Sequence, residues 1–203
     1  MSLLDLIAPP LCAGCGAHAG AIEPLCARCR SQLRWLGPEP VALGSVTAWA
    51  PLAYEGATQG VVRALKFKGA ARAVSAMAAQ IAARAPPGWL GSHAQLVPVP
   101  LHPSRARRRG YNQARLLADA LAERTGMHVA DCLERTGAKG TQVGRSRTER
   151  LAGIAGGIRL TGEPPGKPIL VDDVITTGAT LTACALALPN DTKAIAYART
   201  PGR

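Results

Sequence analysis

The stretch with most chemical potential is Ile169-Leu170-Val171-Asp172-Asp173-Val174-Ile175-Thr176-Thr177-Gly178-Ala179-Thr180. An apolar run of this kind forms a buried strand, and two carboxylates stand at its carboxyl end, where open α/β sheets bind their ligands. Asp172 and Asp173 can accept hydrogen bonds from the two hydroxyls of a ribose, or hold a magnesium ion through water. A helix opening after Gly178 would offer N–H groups to a phosphate, and a glycine lets the backbone approach without a Cβ in the way. Thr176, Thr177 and Thr180 add hydroxyl donors. The residue types together suit a ribose 5-phosphate. A plain strand-to-helix turn with an acidic cap explains one acidic residue, not two adjacent carboxylates before Thr-Thr-Gly-x-Thr.

Two further segments carry cations. Val97-Pro98-Val99-Pro100-Leu101-His102-Pro103 ends a strand and turns sharply, and Arg105, Arg107, Arg108 and Arg109 follow before Gly110. A pyrophosphate needs such cations, although charge alone equally describes a solvated basic turn. Residues 136–150, with Lys139, Arg145, Arg147 and Arg150, read by themselves as a basic loop.

Cys12-x-x-Cys15 and Cys26-x-x-Cys29 form a third constellation. Two such knuckles bring four sulfurs within tetrahedral reach of one zinc, and four protein ligands leave no open position, so the zinc is expected to be structural. Disulfide pairing is the competing reading. His18 is not needed to complete the set, and Cys132 and Cys184 read as small core residues.

The elements that must position these groups follow from periodicity and punctuation. Residues 45–54 are strand-like, 58–67 helical, 70–84 an alanine-rich helix ended by Pro86-Pro87, and 94–100 a short buried strand. A helix is expected over 111–124, a strand over 168–174, a helix over 178–188 and a closing strand over 193–199. Strands alternating with helices argue for an α/β fold with a mostly parallel sheet. Gly37-Pro38-Glu39-Pro40 reads as a linker, which predicts a metal-stapled unit over 1–37 and an α/β domain over 38–203.

Nearly half of the 203 residues are apolar (47%), enough for a sizeable core, whereas aromatics make up 3%. The formal charge of +11 favours phosphate-bearing partners, metabolite or nucleic acid. Asp5 and Pro9-Pro10 interrupt the apolar start of the chain, so no signal peptide is expected. No apolar run approaches the ~20 residues that span a bilayer, and reduced cysteines point to the cytoplasm.

The stretch from Ile169 to Thr180 resembles the phosphoribosyl pyrophosphate (PRPP) motif of type I phosphoribosyltransferases. With four cysteines ahead of it, the chain as a whole resembles the ComF family of competence proteins, which are amidophosphoribosyltransferase-like. Tyr54-x-Gly56, Leu65-Lys66-Phe67-Lys68-Gly69, Pro98 to Pro103, Arg109-Gly110-Tyr111-Asn112-Gln113-Ala114, Thr141-Gln142 and Arg150 carry that resemblance in order. It implies a type I phosphoribosyltransferase fold behind a zinc-ribbon-like unit. It puts Asp172 and Asp173 on the ribose and Thr176, Thr177, Gly178, Ala179 and Thr180 on the 5-phosphate. Pro100, Leu101, His102 and Arg109 fall on the pyrophosphate loop, and Arg145, Arg147 and Arg150 on a flexible loop that closes over PRPP.

The implied chemistry is a magnesium-dependent displacement at the ribose C1 with an oxocarbenium-like transition state, which electrostatics and orientation can support without a covalent nucleophile. The acceptor is not legible. The family is linked to natural transformation and use of external DNA, which implies single-stranded DNA and an uptake helicase as partners. The alternative is a non-catalytic single-stranded-DNA-binding accessory factor, for which Trp35, Trp49 and Tyr54 are stacking candidates, though such rings are more often core. Gly153 and Ile158 depart from the family pattern, where an Asn and a Phe are expected.

Overall fold

The computed structural model describes residues 11–20, 23–68, 71–136, 157–189 and 191–202. A short helix α1 (Ala27–Ser31) belongs to the four-cysteine unit. Then follow β1 (Val41–Leu43), β2 (Val46–Trp49), β3 (Leu52–Ala53), α2 (Gly56–Lys68), α3 (Ala71–Ala82), β4 (Gln95–Pro98), α4 (Pro103–Arg109) and α5 (Gln113–Thr125). The chain continues through β5 (His128–Val129), β6 (Leu133–Arg135), β7 (Ile158–Leu160), β8 (Pro168–Ile175), α6 (Ala179–Ala185) and β9 (Lys193–Arg199).

The main sheet runs β1-β2-β9-β8-β4-β5, with β3 also paired to β9. Only β1–β2 is antiparallel; β2, β3 and β8 all pair parallel with β9, and β4 pairs parallel with β8 and β5. The fold is therefore α/β with a mostly parallel sheet, as the alternating pattern predicts. The single strand expected over 45–54 is two pieces, β2 and β3, broken at Ala50-Pro51. Pro51 has no N–H for a ladder, and its carbonyl instead accepts from Leu36 N–H at 2.8 Å.

Side chains alternate across the sheet. Trp49, Leu96, Ile169, Val171, Ile195 and Tyr197 face one apolar layer, built from α2, α3 and α5 through Val61, Leu65, Met77, Ile81, Leu117 and Leu121. Val46, Ala48, Val97, Leu170, Ala194 and Ala196 face the other, built from α6 and the β6–β7 hairpin through Leu181, Cys184, Leu133 and Ile158. Ile158 is thus core, and both Cys132 and Cys184 are buried. Four residues of the cysteine unit (Cys12, Leu25, Cys29 and Leu33) lie in the first layer's core.

The basic turn expected after Pro103 is a helix, α4. His102 caps it by accepting from Ser104 N–H, Pro103 opens it, and Gly110 ends it in the left-handed region. None of its residues is buried. The helix expected over 178–188 is shorter, Ala179–Ala185, because residues 186–189 leave it in a turn.

Candidate functional site

β8 delivers the acid pair to the carboxyl edge of the sheet. Because successive residues of a strand point to opposite faces, Asp172 and Asp173 lean to opposite sides of the edge, although their carboxyls stay close enough to interact. Asp173 points toward the α2 side, where Lys66 Nζ lies 3.0 Å from its Oδ2. Asp172 turns toward the α6 side, and its Oδ1 accepts the Asp173 N–H at 2.8 Å. Burial pushes the Asp172 carboxyl well above its usual range; the negative charge of Asp173 adds to the shift, while the Asp173 N–H and Lys66 oppose it. Asp173 is 8% exposed, and its Oδ2 receives no well-directed hydrogen bond despite the nearby ammonium.

Asp172 lines a cup of about 40 Å3 together with Thr176, Thr177, Gly178, Ala179 and Thr180, so the strand and the hydroxyl turn meet at one place. Thr176, Thr177 and Ala179 are exposed, and Thr177 Oγ1 accepts the Ala179 N–H at 3.4 Å. Gly178 has φ +77°, and a Cβ there would stand 2.9 Å from Leu43 Cδ1. β1 is the strut behind this turn, since the Leu43 carbonyl also accepts from Thr182 Oγ1 at 3.3 Å. Larger clefts, about 630 Å3 between the cysteine unit and α2–α3 and about 390 Å3 at the amino ends of β4, β8 and β9, do not include the acid pair in their walls.

The turn after β4 arrives beside the same edge. Pro98 pairs with Val171, the residue before Asp172, and Val99 N–H donates to the Val171 carbonyl at 3.0 Å. Pro100 is buried, Leu101 and His102 are half-buried, and His102 is occupied as the cap of α4. Arg105, Arg107 and Arg108 are exposed, whereas Arg109 is half-buried and donates to Gln113 Oε1 at 3.0 Å. The motif from Arg109 to Ala114 is largely a positioning device. Asn112 caps α5 and donates to the Val99 carbonyl, and Tyr111 Oη donates to the Leu65 carbonyl at 2.7 Å. Arg145, Arg147 and Arg150 lie outside the described residues, as does Gly153. Trp49 is buried, Trp35 is exposed with the Arg84 guanidinium 3.8 Å over one face of its ring, and Tyr54 is half-buried.

Sequence reasoning quoted Lys66 and Tyr111 as part of a pattern but gave neither a role. Their partners are distant in the chain, so only the folded geometry reveals them.

In the cysteine unit, the Sγ atoms of Cys12, Cys15, Cys26 and Cys29 lie within 4.8 Å of one another. Cys15 and Cys26 are 3.7 Å apart, close to the ~3.8 Å edge of a tetrahedron with Zn–S bonds of ~2.3 Å. No disulfide joins any of the four, and their mutual spacing is that of sulfurs around one ion. Burial works against the Cys12 thiolate, but the N–H groups of Cys26, Cys15 and Gly14 outweigh it and bring the thiol down to about 6. Burial and the neighbouring cysteines hold Cys29 at about 12. The site suits a structural zinc.

Residues 3–41 match the double zinc ribbon domain family, and the four cysteines there supply one tetrahedral set. The chain is 34% identical over 130 residues to competence protein ComFC of Bacillus subtilis, covering 64% of this chain and 52% of that protein. It is 35% identical over 92 residues to ComFC of Streptococcus pneumoniae, covering 43% and 38% of the two chains. It is 37% identical over 91 residues to competence protein F of Haemophilus influenzae, covering 42% and 40%. Over these segments the chain is similar to the competence proteins ComFC and F. It spans about half or less of the length of these relatives. In this chain, the four-cysteine unit and the carboxyl edge of the sheet are the two places where chemistry-bearing side chains converge among the described residues. None of its described helices is long and apolar enough to cross a membrane.

Proposed function

We propose that the carboxyl edge of β8 binds PRPP with magnesium, in a protein that serves DNA uptake and the use of external DNA. The names of the relatives support the competence setting. The observation that carries the ligand is the cup that Asp172 shares with Thr176–Thr180, next to an Asp173 whose buried oxygen lacks a directed donor. A ribose hydroxyl is such a donor, and the adjoining turn offers hydroxyls and N–H groups to phosphate oxygens. Residues 176–180 would take the 5-phosphate through hydroxyls and N–H groups, and the two carboxylates the ribose. The turn at Pro100–His102 and the arginines of α4 would face the pyrophosphate. Asp172 and Asp173 are carboxylates of the kind that hold magnesium through water, and the ion would neutralise charge on the leaving pyrophosphate. The reaction this favours is pentosyl transfer to an acceptor that the geometry does not name.

A second reading has its own support: α4 buries no residue and exposes Arg105, Arg107 and Arg108. Such a helix can track the phosphates of single-stranded DNA, with affinity falling steeply as salt rises. A helicase of the uptake machinery would then be a partner on the same strand. Calorimetry with PRPP in magnesium buffer separates the readings. Wild-type protein should bind PRPP and the Asp172→Asn/Asp173→Asn double variant should not; an absence of PRPP heat in wild type, with salt-sensitive DNA binding, leaves only the accessory role.

A further inference from the structure

Three segments of the proposed ligand site are tied together through the end of α2. Lys66 reaches Asp173 across 3.0 Å, and both side chains are shielded, at 26% and 11% exposed, so the pair is not a solvent-screened surface contact. Leu65, the residue before it, is in the last turn of α2, where carbonyls lack a partner within the helix. Its carbonyl is taken by Tyr111 Oη at 2.7 Å. Tyr111 in turn stands between Gly110, which ends α4, and Asn112, whose side chain bonds the Val99 carbonyl and caps α5. A chain of contacts therefore runs from the acid pair through α2 to the basic helix.

We infer that Lys66 is a positioning residue for the ribose: it holds Asp173 in one orientation as an acceptor, and Tyr111 fixes where Lys66 stands. The inference rests on the ribose-phosphate reading above. Its physical basis is that a nearly buried carboxylate without a cation would turn away or take a proton. Either change would spoil the acceptor geometry that a sugar hydroxyl requires. Lys66 pairs with Asp173, the proposed ribose acceptor, and is not among the residues lining the 5-phosphate cup. The proposed pyrophosphate turn has the cations of α4, so the effect of Lys66 should fall on the sugar and not on pyrophosphate.

Calorimetry with ribose 5-phosphate and with inorganic pyrophosphate, run separately in magnesium buffer, tests this on the full chain. Lys66→Met should weaken ribose 5-phosphate by about tenfold or more, the scale for leaving a nearly buried carboxylate without its ion-pair partner, and leave pyrophosphate within about twofold. Lys66→Arg should restore most of the affinity. Tyr111→Phe should weaken ribose 5-phosphate less, and the double variant Lys66→Met/Tyr111→Phe should be no weaker than Lys66→Met, because Tyr111 acts through Lys66. Wild-type affinity in a folded Lys66→Met, or fully additive losses, overturns the inference. Should Lys66→Met fail to fold, Tyr111→Phe decides, and undiminished sugar binding there overturns it. Wild-type protein that binds neither ribose 5-phosphate nor PRPP removes the ribose reading itself, and this inference with it.

Discussion

Replacing Gly60 by alanine sets two opposite effects against each other. Gly60 is inside α2, where glycine is about 1 kcal/mol worse than alanine, so propensity alone predicts that Gly60→Ala stabilises. The structure predicts the reverse. A Cβ on Gly60 would run into the Ala13 carbonyl oxygen and stand 2.9 Å from Gly14 Cα, well inside carbon–carbon contact. Both neighbours are backbone atoms of the first cysteine knuckle, which cannot shift freely, because Cys12 N–H is bonded to the Ala17 carbonyl and Ala13 N–H to the Pro24 carbonyl. Gly14 is itself wedged, its own ideal Cβ position 3.0 Å from Cys29 Sγ. Relief therefore requires the cysteine unit to lift off α2, partly exposing Leu25 and Leu33. Complete exposure of two such side chains costs about 3–6 kcal/mol. Partial lifting, set against the propensity gain, leaves a net loss of about 2 kcal/mol, or roughly 4–8 °C in melting temperature for a chain of this size. Thermal unfolding of the zinc-loaded protein measures it. A Gly60→Ala protein that melts at or above wild type would refute the packing argument.

Two further outcomes follow from the titrating groups. The raised carboxyl of Asp172 favours the protonated form in the folded protein. Its stabilising share is present below the unfolded value near 4 and is lost as pH rises through the folded value. Asp172→Asn, which copies the neutral form, should therefore melt above wild type at neutral pH, with the gain vanishing below about pH 4. The same gain at every pH would show that burial of the charge is not the cause. Zinc must take its ligands as thiolates. Cys29, held at about 12, has to lose a proton to the metal at any ordinary pH, whereas Cys12, at about 6, is already ionised at neutral pH. Zinc affinity should thus weaken as pH falls and steepen its decline below 6; a chromophoric chelator competition over that range reads it, and a flat profile counts against thiolate ligation.

The long apolar strands were legible because burial on both faces leaves an unmistakable run, as in Ile169-Leu170-Val171 and Ala194-Ile195-Ala196. The cysteine set was legible because zinc fixes ligand type and spacing. α4 was not read as a helix because four arginines leave no apolar face for periodicity to detect; Pro103 and Gly110 were the signals that could have found it. β1, β5, β6 and β7 have two or three residues each, too few for any pattern. The site itself was half legible. Neighbouring aspartates announce a ligand edge, and period-two alternation could have placed them on opposite faces. The Lys66–Asp173 pair joins residues that only the folded chain brings together, so no local pattern marks it.

The position of β9 has a consequence for how the molecule is made. The last strand in sequence lies inside the sheet, clasped between β2 and β8 and also pairing β3. A nascent chain stopped before Lys193 can load zinc, since its four thiols emerge early, but it cannot join the two halves of its sheet. Metal capture and sheet closure are thus separated by the synthesis of residues 30–192. The acid pair, whose strand β8 lies directly against β9, acquires its final setting only after β9 has been made.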